Sequence, residues 1–260
     1  MLEDDFTYVI RKAFRGLNMA PAIAAKKADL SENEVLSFSR GHFSKETAIR
    51  LAPVLGLNAT ALAAHPEYLP RPLTLESIHR LDLPFDGERV NAWSISQANV
   101  TLLFDTGYDG TSCEKALADI SNNTVDCVFI THGHADHVGG LKGFLDAGMP
   151  AMGPQIAGAR EMKPGDSMKF GELTVRAIEL SGHCTPALGY HIDGLEVPVL
   201  VTGDALFAGS IGGCQSRETY LKALHSLKRA LAGLADETIL LPGHGPATTV
   251  GEERVSNPFL

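Results

Sequence analysis

The sequence predicts an α/β fold preceded by a small all-α region, and three observations carry that prediction. Residues 1–70 show helical periodicity and no strand pattern. After residue 73, short β-branched apolar runs alternate with helical patterns, with Gly and Pro at the joints. Between the two regions lies segment 65–72 (HPEYLPRP), in which three of eight residues are proline, a composition that favours an extended linker. A chain of 260 residues has room for a small domain plus a medium one. We therefore divide it into a helical domain, 1–70, and an α/β domain, 71–260.

In the first part, Val9, Ile10, Ala13, Phe14 and Leu17 recur at the spacing of one helix face. Ser31 and Glu34 form a capping-box pair that starts a helix, and Ser44 and Asn58 can cap the two that follow. Gly41 and Gly56 stand where helices should stop. These signals predict five short helices. In the second part the candidate strands are 90–96, 100–104, 125–130, 173–180, 197–201 and 238–241, and the candidate helices are 113–120 and 218–234.

The formal net charge is −9 with no local concentration of Lys and Arg, which disfavours a nucleic-acid partner. The N-terminus carries acids where a signal peptide needs basic residues, and no run reaches the length of a membrane span. A cytoplasmic protein without membrane association is expected. Cys113, Cys127, Cys184 and Cys214 make no CxxC pair and are expected to be reduced thiols.

The chemistry is concentrated in segment 129–140 (FITHGHADHVGG), where His132, His134, Asp136 and His137 crowd the end of an apolar strand. Four such groups on one loop are costly to desolvate without a cation among them, and imidazole with carboxylate suits zinc, iron or manganese. Local residues cannot close such a site, so further ligands should come from elsewhere. Three other apolar runs end in Gly182-His183, Gly203-Asp204 and Gly243-His244. A glycine before each ligand lets the backbone turn sharply, and strand ends converging on one sheet edge are where α/β proteins build sites.

Taken in order, His132, His134, Asp136, His137, His183, Asp204 and His244 resemble the metal-binding pattern of the metallo-β-lactamase superfamily. Segments 104–107 (FDTG), 202–212 (TGDALFAGSIG), 241–254 (LPGHGPATTVGEER) and 257–259 (NPF) resemble its glyoxalase II-like branch, which includes hydroxyacylglutathione hydrolase. The resemblance implies an αββα sandwich and two divalent metal ions, zinc first, with iron and manganese as the other candidates. His132, His134 and His183 would hold one ion, Asp136, His137 and His244 the other, and Asp204 would bridge them. Asp105 would support the site without ligating. The implied reaction is hydrolysis of a small-molecule thioester or ester by metal-bound hydroxide, with Asp136 also catalytic through orienting that hydroxide. The branch also contains mononuclear iron persulfide dioxygenases, and His132, His183 and Asp204 could serve as their facial ligands. The sequence departs from the family's His-Thr-Pro-Gly in reading HCTPA over 183–187, and Gly213, Cys214 and Gln215 replace the branch's frequent Arg-x-Asp. No counterpart of the C-terminal helical domain that grips glutathione follows His244, so glutathione specificity is not implied.

The N-terminal helices resemble the helix-turn-helix of the lambda-repressor type in spacing, 19–28 then 31–40. The residues that would meet DNA bases are Ser31, Glu32, Asn33 and Glu34, two of them acidic, and residues 1–70 hold eight Lys or Arg against eight Asp or Glu. We expect helices that pack on the hydrolase, cover its pocket or mediate homo-oligomer formation. A regulator with a DNA-binding N-terminus is the alternative. Tyr190 and His191 are expected to be packing or surface residues, Cys184 a small buried residue, and His42, His65, His79 and His225 solvated.

Overall fold

The computed structural model describes residues 1–111, 118 and 125–260. The helix expected at 113–120 lies outside the described residues, Ala118 apart. Five α-helices precede the sheets: α1 (Phe6–Leu17), α2 (Pro21–Ala28), α3 (Glu32–Ser39), α4 (Lys45–Leu51) and α5 (Ala59–Ala64). The capping signals act as written in the sequence. Ser31 Oγ accepts from Glu34 N–H while the Glu34 carboxylate accepts from Ser31 N–H, and Ser44 and Asn58 accept from Thr47 and Ala61 N–H.

Two six-stranded sheets follow among the described residues. The first runs β1 (Ile78–Phe85), β2 (Glu88–Gln97), β3 (Val100–Phe104), β4 (Cys127–Phe129), β5 (Ala151–Gly153) and β6 (Arg160–Glu161), antiparallel through β3 and parallel thereafter. The second is ordered β12 (Thr248–Thr249), β11 (Ile239–Pro242), β10 (Val199–Gly203), β9 (Leu188–Asp193), β8 (Leu173–Glu179) and β7 (Ser167–Phe170). The remaining described α-helices are α6 (Ala135–Val138), α7 (Leu141–Asp146), α8 (Arg217–Leu231) and α9 (Val250–Ser256).

The central strands are apolar throughout because both faces are covered. Leu102 and Phe104 point into the core between the sheets, while Leu103 points out toward Leu141 and Phe144 of α7. Val199 and Val201 share the inter-sheet core with Ile239 and Leu241, while Leu200 and Leu240 face the opposite way, toward α8. The order is therefore helix, sheet, sheet, helix: the αββα sandwich.

The N-terminal helices extend the outer layer. Val9, Ile10 and Ala13 of α1 join Leu200, Leu240, Tyr220 and Leu227 in one continuous apolar cluster. α1 lies against α8 so closely that a Cβ on Gly16 would stand 2.3 Å from Tyr220 Cγ. Segment 65–72 is not the free linker that its prolines suggest. His65–Glu67 forms a 3₁₀ turn, and His65, expected to be solvated, is 1% exposed. His42, His79 and His225 are exposed. Among the described residues no helix is long and apolar enough to cross a membrane.

Candidate metal centre

Each predicted ligand sits just beyond a strand at one edge of the sandwich. His132 follows β4, α6 carries Asp136 and His137 straight after His134, and His183, Asp204 and His244 follow β8, β10 and β11. The structure brings all seven together as two groups, His132–His134–His183–Asp204 and Asp136–His137–His244, each with its ligand atoms within 4.8 Å of one another. Asp204 reaches into both. Its Oδ1 lies 3.2 Å from His137 Nε2, and its Oδ2 lies 3.5 Å from both His183 Nε2 and His244 Nε2.

Hydrogen bonds on the far side of the rings decide which nitrogen faces inward. His183 Nδ1–H donates to the Gly213 carbonyl at 2.6 Å, and His244 Nδ1–H donates to the Arg89 carbonyl at 2.8 Å. A carbonyl only accepts, so each Nδ1 carries a proton and Nε2 is the nitrogen turned toward the cluster. Asp105 does the same work through two routes. It accepts from His137 Nδ1–H at 2.8 Å and from Thr131 Oγ1–H at 2.8 Å, which leaves Thr131 Oγ1 to accept from His132 Nδ1–H at 3.0 Å. Asp105 holds the left-handed conformation, φ +62°, which Asp adopts more readily than most residues. It thus supports the ligands without joining them. His134 is turned the other way, its Nδ1 standing 3.0 Å from the Nε2 atoms of both His132 and His183.

These atoms fit a cation. Three ring nitrogens converge at about hydrogen-bond distance with two of their protons committed elsewhere, so lone pairs are left facing one another. Among the described residues, His137 Nε2 and Asp204 Oδ1 are buried without a hydrogen-bond partner; their 3.2 Å contact is misaligned for one. Gln97, His191 and Thr238 hold such atoms elsewhere, but these two face each other among metal-type side chains, where one ion would satisfy both. The donors are nitrogen and carboxylate oxygen, the set suited to zinc, iron or manganese.

Electrostatics inside the cluster are strongly coupled. Complete burial disfavours a proton on His137, yet Asp204 and Asp105 outweigh it and hold the ring well above its ordinary value. The same contest, burial against Asp136 and Asp204, raises His244 to about 10. Burial, reinforced by His137, holds His132 well below its ordinary value. Without a cation, His137 and His244 therefore carry protons at neutral pH, and a cation must displace them. Metal affinity is expected to rise as pH rises from neutral, by about tenfold per pH unit for each proton displaced. Calorimetric titration with zinc at pH 7 in two buffers of different ionisation enthalpy would show the released protons. Buffer-independent heats would contradict this.

Three other expectations find their place here. Cys184 is half-exposed instead of buried, and a hydrogen bond to His134 holds its thiol below the usual range. Tyr190 is a core residue whose hydroxyl donates to the Ile130 carbonyl at 2.6 Å, and His191 is buried on β9. Sequence reasoning missed the carbonyls of Arg89 and Gly213, which carry no residue signature, and Phe207, whose ring stands edge-on to His244 at 5.7 Å.

Comparison with known proteins agrees with this geometry. Residues 85–173 match the family model of the metallo-beta-lactamase superfamily. The uncharacterized protein ML0493 of Mycobacterium leprae is 30% identical over 194 residues, covering 61% of this chain and 87% of that protein. The hydroxyacylglutathione hydrolase GloC of Haemophilus influenzae is 28% identical over 185 residues, covering 61% and 86%. ETHE1 from Myxococcus xanthus shares the fold, with a TM-score of 0.57 at 24% identity over 70% of this chain and 83% of its own. The di-iron-bound form of TTHA1623 gives a TM-score of 0.53 at 26% identity over 69% and 100%. A family model that spans the first ligand cluster, and a relative matched over most of its own length, lead to one conclusion: this chain belongs to the metallo-beta-lactamase superfamily.

Proposed function

We propose that the chain is a binuclear metal-dependent hydrolase of small thioesters or esters, similar in chemistry to the hydroxyacylglutathione hydrolases among its relatives. The observation that carries this reading is Asp204, whose two oxygens reach His137 on one side and His183 and His244 on the other. A carboxylate so placed suits two cations that share it, and the di-iron form of TTHA1623 supports the same count. Such a pair supplies a nucleophilic water with a pKa near about 7 and polarises a carbonyl.

The chain's own residues do the rest. His132, His134 and His183 would hold one cation and Asp136, His137 and His244 the other. Before a cation binds, the Asp136 carboxylate is already charged: burial pushes its pKa up, but the hydrogen bond from His244 and the His137 charge outweigh that and lower it. Its oxygens would accept a hydrogen bond from the nucleophilic water and fix its direction of attack. His132 and His137 are buried, whereas His134, His183 and Cys184 are half-exposed beside the exposed Gly133. The acyl group would enter from that side.

Elemental analysis of protein purified without added metal, together with hydrolysis of S-lactoylglutathione and a simple thioester, tests the proposal. About two metals per chain with thioester turnover is the expected result. About one iron per chain, with oxygen uptake on glutathione persulfide and no hydrolysis, would replace it by the dioxygenase chemistry.

A further inference from the structure

The loop that leaves Asp204 touches ligands of both groups, and it is held from two sides: by Glu253 and Asn257 at α9, and by the N-terminal helical region. Residues 205–213 pass beside His183 and His244. Gly213 orients the His183 ring through its carbonyl, and Phe207 stands against the His244 ring. Gly212 is pressed in so tightly that a Cβ would lie 1.9 Å from the Asp204 carbonyl oxygen and 2.8 Å from His183 Cγ. The loop's own structure is slight, an isolated bridge between Phe207 and Ser210.

What fixes it is a set of contacts to its backbone. Gly209, at φ +73°, donates its N–H to Glu253 Oε2 at 3.0 Å and accepts at its carbonyl from His65 Nε2–H at 3.0 Å. Glu253, wholly buried in α9, is itself held by Tyr68, Thr248 and Asn257. Two residues on, the Ile211 carbonyl accepts from Lys12 Nζ at 2.8 Å. Lys12 also pairs with the buried Asp4 and lies 5.0 Å from the centre of the Phe207 ring. Lys12 belongs to α1 and His65 to the turn after α5.

We propose that the N-terminal helical region is a positioning clamp for the metal centre, acting through Lys12 and His65. His65 holds Gly209 and thereby Phe207 against His244. Lys12 holds Ile211 and thereby sets Gly213 against His183. Each route ends on a ligand of a different group, so the clamp bears on both cations. The loop pairs Phe207 with Ser210 internally, but the Gly209 and Ile211 carbonyls take donors from the N-terminal helical region, which fixes them at set points. The clamp rests on the two-metal reading above but on no particular acyl substrate.

The test uses the full chain with His65→Ala, His65→Gln, Lys12→Met and Lys12→Arg. Zinc affinity is read by competition with a chromophoric chelator, and ligand geometry by the visible absorption of the cobalt-substituted protein. Direct partners of metal ligands are worth about 10–100-fold in affinity, and these residues act one step further out, so about a tenfold loss is expected for His65→Ala and for Lys12→Met. The cobalt bands should shift in both. His65→Gln, which keeps a donor near the Nε2 position, and Lys12→Arg should recover most of the affinity and the parent spectrum. A purely structural role would lower the melting temperature without moving the cobalt bands. Parent-like affinity and spectra in folded His65→Ala and Lys12→Met would overturn the clamp, as would losses that the conservative variants fail to rescue. If either variant fails to fold, the other pair carries the same test. All readings are made without substrate, so a chain that binds metal tightly yet spares thioesters would sink the proposed reaction and leave the clamp standing.

Discussion

Asp204→Ala is expected to abolish tight binding of both cations and to lower kcat/KM for a thioester by more than about a hundredfold. The magnitude follows from a comparison: groups one step removed from a metal already cost about 10–100-fold when lost, and Asp204 stands where it can touch both ions. Its carboxylate is charged at every working pH. Burial alone would raise its pKa, but His137 and His244 hold it well below the ordinary carboxylate range. Removing it takes away the negative charge that makes this cluster of imidazoles hospitable to a dication. The metal-free fold should survive, because His137 keeps its hydrogen bond to Asp105 at 2.8 Å. Asp204→Asn, which preserves shape and discards charge, should fail as a metal site nearly as badly. Elemental analysis, thioester kinetics and melting of the metal-free proteins measure these claims. Full metal content with full activity in either variant would sink the two-metal scheme.

The clustered side chains were legible in the sequence because metal chemistry needs specific residue types, and those leave letters. His132, His134, Asp136 and His137 lie within six residues, and His183, Asp204 and His244 each end an apolar run. The α/β alternation and the helix caps were legible for the same reason: each reflects a local rule. Strands β1, β7 and β9 were not among the candidate strands, and other features were missed because they depend on backbone atoms or on burial. The Arg89 and Gly213 carbonyls orient two ligands, but any residue offers a carbonyl. Glu253 sits in a charged run, GEER, that looks like an exposed helix surface, yet it is fully buried. His65 looks solvated among prolines, yet it is packed against Gly209. The short strands β5, β6 and β12 carry too few residues for a period to show, and pairing in the sheet creates them.

The glycines before His183, Asp204 and His244 do not all serve the sharp turn expected of them, and Gly243→Ala is the sharpest test of the difference. A sharp turn accounts for Gly203, at φ +50°. Gly243 has no such conformation; what it lacks is room. A Cβ there would lie 2.1 Å from Asp204 Oδ1 and 2.6 Å from His137 Cε1, beside the two atoms left without hydrogen-bond partners. The backbone cannot retreat. Gly243 accepts from Asn91 N–H at 2.7 Å and donates to the Gly203 carbonyl at 3.0 Å, while Asn91 and Trp93 both grip the carbonyl of Pro242. Asp204 must therefore move, and with it the atoms positioned to meet both cations. One methyl group should cost about 1–3 kcal/mol of stability through overpacking, a loss a domain of this size survives. Its effect on the site should be far larger: weak metal binding and a fall in thioester turnover of more than about a hundredfold, comparable to loss of a ligand. A folded Gly243→Ala protein that retains parent metal content and turnover would mean that Asp204 has freedom this packing does not allow, and the shared-ligand geometry would have to be abandoned.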